Sequence, residues 1–146
     1  MGVAAIEKAF PKIRKEGYKI TSQETADYNC FAWAVNDTTQ WWSPDTGSGY
    51  YWLDGIPETL EVTSFVKLYQ SAGNFLPCPT HQFENGFEKI AIYADAKGSV
   101  THVARQLPSG AWTSKLGDWE DIQHESLAAI EGQFYGKVAQ IMKRFV

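Results

Sequence analysis

The sequence predicts an α+β domain, helices first and an antiparallel sheet afterwards, on three observations. Apolar residues recur at helical spacing between Val62 and Tyr69. Three β-rich segments separated by Gly-containing turns follow between residues 89 and 116. The chain of 146 residues is long enough for one domain, 1–146, with a substantial core, and no internal repeat or low-complexity segment divides it.

The elements follow in order. Residues 4–15 read as an amphipathic helix broken or kinked at Pro11 and ended near Gly17. Tyr18 to Thr21 is a short extended piece, and Ser22 to Asp27 a polar lead-in. Asp27 and Asn29 are good N-cap residues, so a short helix is predicted to start beside Cys30 and run to about Val35. The next stretch mixes Trp41, Trp42, Tyr50, Tyr51 and Trp52 with Pro, Gly and Ser, either a lid completing the core or a wall of a substrate cleft. Pro57 suits a first helical position, and Val62, Phe65, Val66 and Tyr69 form one face of the helix that Gly73 ends. Cys78, between two prolines, reads as a loop residue without a helix to activate it.

In the second half, 89–94, 101–107 and 111–116 read as strands of a meander joined by turns at Asp95–Gly98 and Pro108–Gly110. Residues 118–124 read as a polar segment and 127–131 as a short helix. Lys137 to Val146 reads as a closing strand, with a last helix as the alternative.

Composition excludes several classes. A net charge of −4 without a basic run gives no case for nucleic acid or a membrane surface as partner. Two cysteines are too few for a disulfide framework or a Cys-rich zinc site. Cys30, His102 and His124 lack the local spacing of a metal site, so no metal and no cofactor are expected. The first residues lack a cleavable secretory signal, which makes the cytoplasm the expected location, export without such a signal being the other route.

The chemistry centres on Asp27-Tyr28-Asn29-Cys30-Phe31-Ala32-Trp33-Ala34. Backbone N–H groups at a helix start favour negative charge, so a depressed thiol pKa is expected for Cys30. A thiol nucleophile needs a base, and the base needs an orienting group. His81 sits in a polar loop, His102 near a strand start, and His124 after the acidic pair Glu120-Asp121. Arg105 and Lys115 on neighbouring strands suggest an anion contact or a solvated face.

A Cys at a helix start, then helical material, then a meander whose second strand opens with His, resembles the order of papain-like thiol hydrolases. The proportions are most similar to the small bacterial NlpC/P60 and CHAP branch, over residues 18 to 117. The residues carrying this are Lys89-Ile90-Ala91-Ile92-Tyr93, Thr101-His102-Val103-Ala104 and Trp112-Thr113-Ser114-Lys115. Together with Tyr28-Asn29-Cys30, Trp41-Trp42 and Asp121-Ile122-Gln123-His124, they also resemble a family of small bacterial proteins without an established activity.

The resemblance implies a papain-like fold with N-terminal helices packed on the meander. It implies Cys30 as nucleophile, His102 as base and an orienting residue on or near Ser114. Serine orients an imidazole less well than a carboxylate, so His124 and Asp121 rank ahead of Ser114. The oxyanion hole would use the Cys30 N–H with Tyr28 or Gln23, Tyr28 being the family's choice, and Trp41 and Trp42 would bind substrate. The implied reaction is hydrolysis or acyl transfer at an amide of a peptide, a protein or peptidoglycan. The rival reading is an inactive papain-like module that binds a partner protein through the aromatic loop.

Overall fold

A computed structural model describes residues 1–146. Helices α1 (Val3–Ala9) and α2 (Ile13–Glu16) lead into strand β1 (Tyr18–Ile20) and the short helix α3 (Cys30–Trp33). Helix α4 (Val62–Gly73) follows, then β2 (Leu76–Cys78), β3 (Phe87–Ala94), β4 (Val100–Gln106), β5 (Trp112–Lys115), β6 (Asp121–His124) and β7 (Lys137–Phe145). The seven strands form one antiparallel sheet in the order β1-β6-β5-β4-β3-β7-β2, so the fold is α+β. Single 3-10 turns lie at Thr46–Ser48 and Leu127–Ile130.

The predicted break at Pro11 separates α1 from α2, and Gly17 caps α2 at φ 99°. The positive φ is what favours glycine there, since a Cβ would stand 3.1 Å from Cγ of the exposed Glu125, which needs to give by only a few tenths of an ångström. The main helix begins at Val62 rather than Pro57, because Leu60 and Glu61 remain extended to meet the β3–β4 turn. The Leu60 carbonyl accepts Val100 N–H at 2.8 Å, and Glu61 bridges Ser99. Cys78 ends strand β2 rather than lying in a loop, and residues 121–124 of the polar segment form β6. The closing segment is strand β7, which pairs with both β3 and β2.

Both faces of the sheet are covered, which explains why β3 reads as a nearly continuous apolar run. Ile90, Ile92, Val103 and Met142 face a core made with α3, α4, Trp42 and Trp52. Ala91, Tyr93, Ala104, Trp112, Ile122 and Ile141 face the other core, made with α1, α2 and the 127–130 turn. Phe65 of α4 meets Phe31 edge-on at 4.7 Å and Trp52 at 5.2 Å, pairings worth about 0.5–1.5 kcal/mol each beyond burial. The aromatic stretch 41–52 thus completes the α3–α4 core through Trp42 and Trp52, while Trp41 pairs with Tyr50 at the surface.

One irregularity positions the site. The β4–β5 ladder contains only Arg105↔Thr113 and Gln106↔Trp112, so β4 toward its start has no β5 partner. Helix α3 packs against both strands at this separation.

Candidate thiol site

Asn29 builds the start of α3. Its Oδ1 accepts N–H bonds from Ala32 at 3.3 Å and Trp42 at 3.0 Å, while its Nδ2 donates to the Trp42 carbonyl at 2.7 Å. One buried side chain therefore caps the helix and ties it to the aromatic stretch. On the far side, Tyr69 of α4 donates its hydroxyl to the Phe31 carbonyl at 2.9 Å. Cys30 is held at the first helical position between these two ties.

The thiol occupies the unpaired edge of β4, where the N–H groups of Val103, Phe31 and Cys30 itself favour its charged form. The expected depressed pKa is nevertheless reversed. Burial is the larger effect and pushes the thiol up to about 12, so Cys30 is protonated at rest.

His102 is fully buried on β4. Its register partner is Tyr93, which places it on the α1–α2 face, whereas Cys30 belongs to the α3–α4 core. The two side chains therefore lie on opposite faces of the sheet, Cys30 beside the Val103 N–H and His102 beside Ser114 of β5. The Tyr135 ring stacks on His102 at 4.1 Å and 10°, and burial raises its hydroxyl pKa, with charge on Cys30 adding to the effect.

His102 Nε2 lies 2.9 Å from Ser114 Oγ, and Ser114 Oγ lies 2.8 Å from His124 Nε2. His124 Nδ1 in turn lies 2.8 Å from the Ser126 carbonyl. His102 Nδ1 is buried without a hydrogen-bond partner, so no hydrogen bond joins it to Cys30 at rest. Burial holds His102 well below its ordinary pKa, with His124 adding to the effect, and burial lowers His124 to about 4. Both rings are neutral at pH 7.

The remaining predicted residues separate. Ser114 touches the His102 ring, and His124 reaches it only through Ser114. Asp121 points elsewhere: it accepts the Tyr28 hydroxyl at 2.8 and 3.0 Å, and its backbone binds Ser22 and Thr21. It anchors the lead-in to Cys30 and is not an orienting residue for His102. The single hydroxyl proton of Tyr28 is given to Asp121, so Tyr28 has none for an oxyanion. Gln23 is exposed and contributes only its carbonyl, to Ser22 Oγ at 3.2 Å. Trp42 is a core residue whose Nε1 donates to Asp37 at 2.9 Å. The Cys30 N–H is the one predicted oxyanion donor left. His81 is exposed, as its loop setting suggested.

Arg105 and Lys115 are neither a solvated face nor an open anion site. Arg105 lies over the Trp33 ring at 4.6 Å and donates to the Trp33 carbonyl at 3.1 Å. Lys115 is fully buried, lies 5.2 Å from the Tyr28 ring centre and donates to the Thr25 and Gly117 carbonyls.

Sequence reasoning missed Tyr135. The signal was its bracketing by Gly132 and Gly136, whose backbones exchange hydrogen bonds at 2.8 and 3.0 Å. A Cβ at Gly136 would stand 2.1 Å from the Ala94 carbonyl oxygen, so only glycine lets this loop lie against β3.

A cleft of about 720 Å³ lies between Lys12, Asp95, Glu131 and Lys137 and includes neither Cys30 nor His102. A smaller cavity of about 210 Å³, walled by Phe10, Leu116, Trp119, Phe134 and Tyr135, shares Tyr135 with the site. No group of three or more His, Cys, Asp or Glu side chains is placed to hold a metal ion. No helix is long and apolar enough to cross a membrane.

A family model described as "Domain of unknown function (DUF7689)" matches residues 19–143, and the chain belongs to that family. No curated protein and no solved structure matches it.

Proposed function

We propose that this member of the DUF7689 family is a papain-like thiol hydrolase or acyltransferase acting on amide bonds, with Cys30 as nucleophile and His102 as general base. One observation carries the reading: Nε2 of the buried His102 ring is anchored through Ser114 while Nδ1 has no partner. A histidine kept only for packing normally has its buried nitrogens satisfied, whereas a base needs one lone pair uncommitted.

With a neutral thiol and a neutral imidazole at rest, the nucleophile forms during attack. Sulfur bonds to the amide carbon as its proton passes to His102 Nδ1, and the carbonyl π electrons move onto oxygen near the Cys30 N–H. Collapse of the oxyanion expels the amine, which takes the proton from His102 and leaves a thioester. Water, or an amine in its place, then gives a proton to His102 as it attacks the thioester carbon; the C–S bond breaks, the acid or new amide leaves, and the His102 proton returns to the Cys30 sulfur. The apolar cavity beside Tyr135 offers a seat for a substrate side chain. A peptide, a protein amide or a peptidoglycan stem peptide fits this chemistry, and nucleic acid and membrane are not partners in it. A reducing, cytoplasmic setting suits the two free thiols.

Incubation with p-nitrophenyl acetate, in a Cys78→Ser background, tests the reading. Mass spectrometry should find one acetyl group on Cys30, formed about 10²–10⁴ times more slowly in His102→Ala, the usual range for a general base. No adduct on Cys30, or a rate indifferent to His102, would overturn it. The second reading, a non-catalytic binding module, would then stand on the burial of the thiol and the surface pair Trp41–Tyr50.

A further inference from the structure

The four groups running from His102 to Ser126 admit one consistent assignment of protons. The Ser126 carbonyl can only accept, so His124 Nδ1, 2.8 Å away, carries hydrogen. His124 is neutral, which leaves a lone pair on its Nε2. Ser114 Oγ, 2.8 Å from that lone pair, must donate its only proton there. Oγ then offers His102 nothing but lone pairs, so the hydrogen between them, across 2.9 Å, belongs to His102 Nε2. His102 is neutral too, and its Nδ1 is left bare. The hydroxyl of Tyr93, which packs beside the ring, does not compete, because it donates to the Leu127 carbonyl at 2.8 Å.

We infer that His124 is a positioning residue that, through Ser114, holds His102 in the Nε2–H tautomer and so keeps the lone pair on Nδ1. A backbone carbonyl, a histidine and a serine thereby do together what a carboxylate does in a catalytic triad. Ser114 orients weakly alone because a hydroxyl both donates and accepts; His124 removes that ambiguity by claiming the proton. The importance of this tautomer for turnover rests on the proposed thiol chemistry, while the proton assignment does not.

Long-range ¹H–¹⁵N spectra of ¹⁵N-histidine-labelled protein at neutral pH test the inference. The three histidines are assigned by comparing single variants. His102 should show a protonated Nε2 and a bare Nδ1, and His124 a protonated Nδ1. Ser114→Ala, which removes one oxygen, and His124→Phe should each leave His102 as a mixture of tautomers. Ser114→Thr, which keeps the hydroxyl, should restore the single form. An Nδ1–H tautomer of His102 in the unaltered protein, or one that persists unchanged in Ser114→Ala, would overturn the inference. If His124→Phe does not fold, Ser114→Ala decides alone. The spectra need no turnover: a protein that fails to acylate yet gives them refutes the hydrolase and keeps the relay, and the converse refutes the relay alone.

Discussion

Cys30 should be among the least reactive of cysteines in the resting protein, and the size of the effect follows from its burial. A free thiol titrates near 8.5, so about a quarter of it is thiolate at pH 8. Burial pushes Cys30 up to about 12 despite the three N–H groups aimed at its sulfur. Its thiolate fraction at pH 8 is then lower by roughly three powers of ten, about 4–5 kcal/mol of disfavoured charge. The assay is iodoacetamide labelling of the Cys78→Ser protein, followed by mass spectrometry from pH 7 upward while the fold is intact by circular dichroism. The rate should climb about tenfold per pH unit without a plateau through pH 10. Tyr135→Ala removes the ring stacked on His102 at 4.1 Å. Water then reaches the separation between β4 and β5, so the thiol pKa should fall and labelling at pH 8 should speed up by about tenfold or more. A plateau at or below the free-thiol value in the unaltered protein would refute the argument, because burial would not then be the dominant effect.

Two further outcomes follow from the same site. The native protein keeps His124 neutral down to about 4, whereas the unfolded chain takes up a proton near 6.5. Stability is therefore complete above pH 6.5 and falls as pH drops toward 4, by about 3 kcal/mol from His124, with His102 acting in the same direction. Urea midpoints that stay level between pH 7 and pH 4 would contradict this. Asn29→Ala removes the helix cap and strands two backbone groups of Trp42, so urea unfolding should show a loss of about 2–3 kcal/mol, more than a cap alone costs. Asn29→Asp, which keeps the acceptor, should recover part of the loss; equal losses in the two variants would contradict the double role.

The α+β class and most strands were legible because the signals are local. Pro11 divides the first helix through its missing N–H, and Phe65 and Tyr69 mark a buried helical face with a spacing that water enforces. What failed depended on distant partners. Pro57 looked like a helix start, but the chain stays extended until Val62 because Leu60 and Glu61 are held by Ser99 and Val100 across the β3–β4 turn. Residues 121–124 looked like a polar segment because two of their side chains serve other groups: Asp121 takes the Tyr28 hydroxyl, and His124 meets Ser114. A strand whose polar residues are satisfied from elsewhere carries no alternation of its own.

The same distinction governs the site. Cys30 could be placed at a helix start because Asn29, its neighbour, supplies the cap. The reactivity of the thiol could not be read that way, since helix position and burial act in opposite senses and only the fold sets the burial. The resemblance puts the orienting position on or near Ser114, and the sequence alone favours Asp121 and His124 over it because a hydroxyl alone orients an imidazole poorly. That ranking compared isolated side chains. Across β5 and β6, Trp112 pairs with His124 and Ser114 with Ile122, which puts Ser114 and His124 on the same face of the sheet as His102. Asp121, one residue before Ile122, must point to the opposite face, toward Tyr28. The alternation that excludes the carboxylate therefore also brings the second histidine within reach of the serine, and what a lone serine lacks is supplied by its neighbour on the adjacent strand.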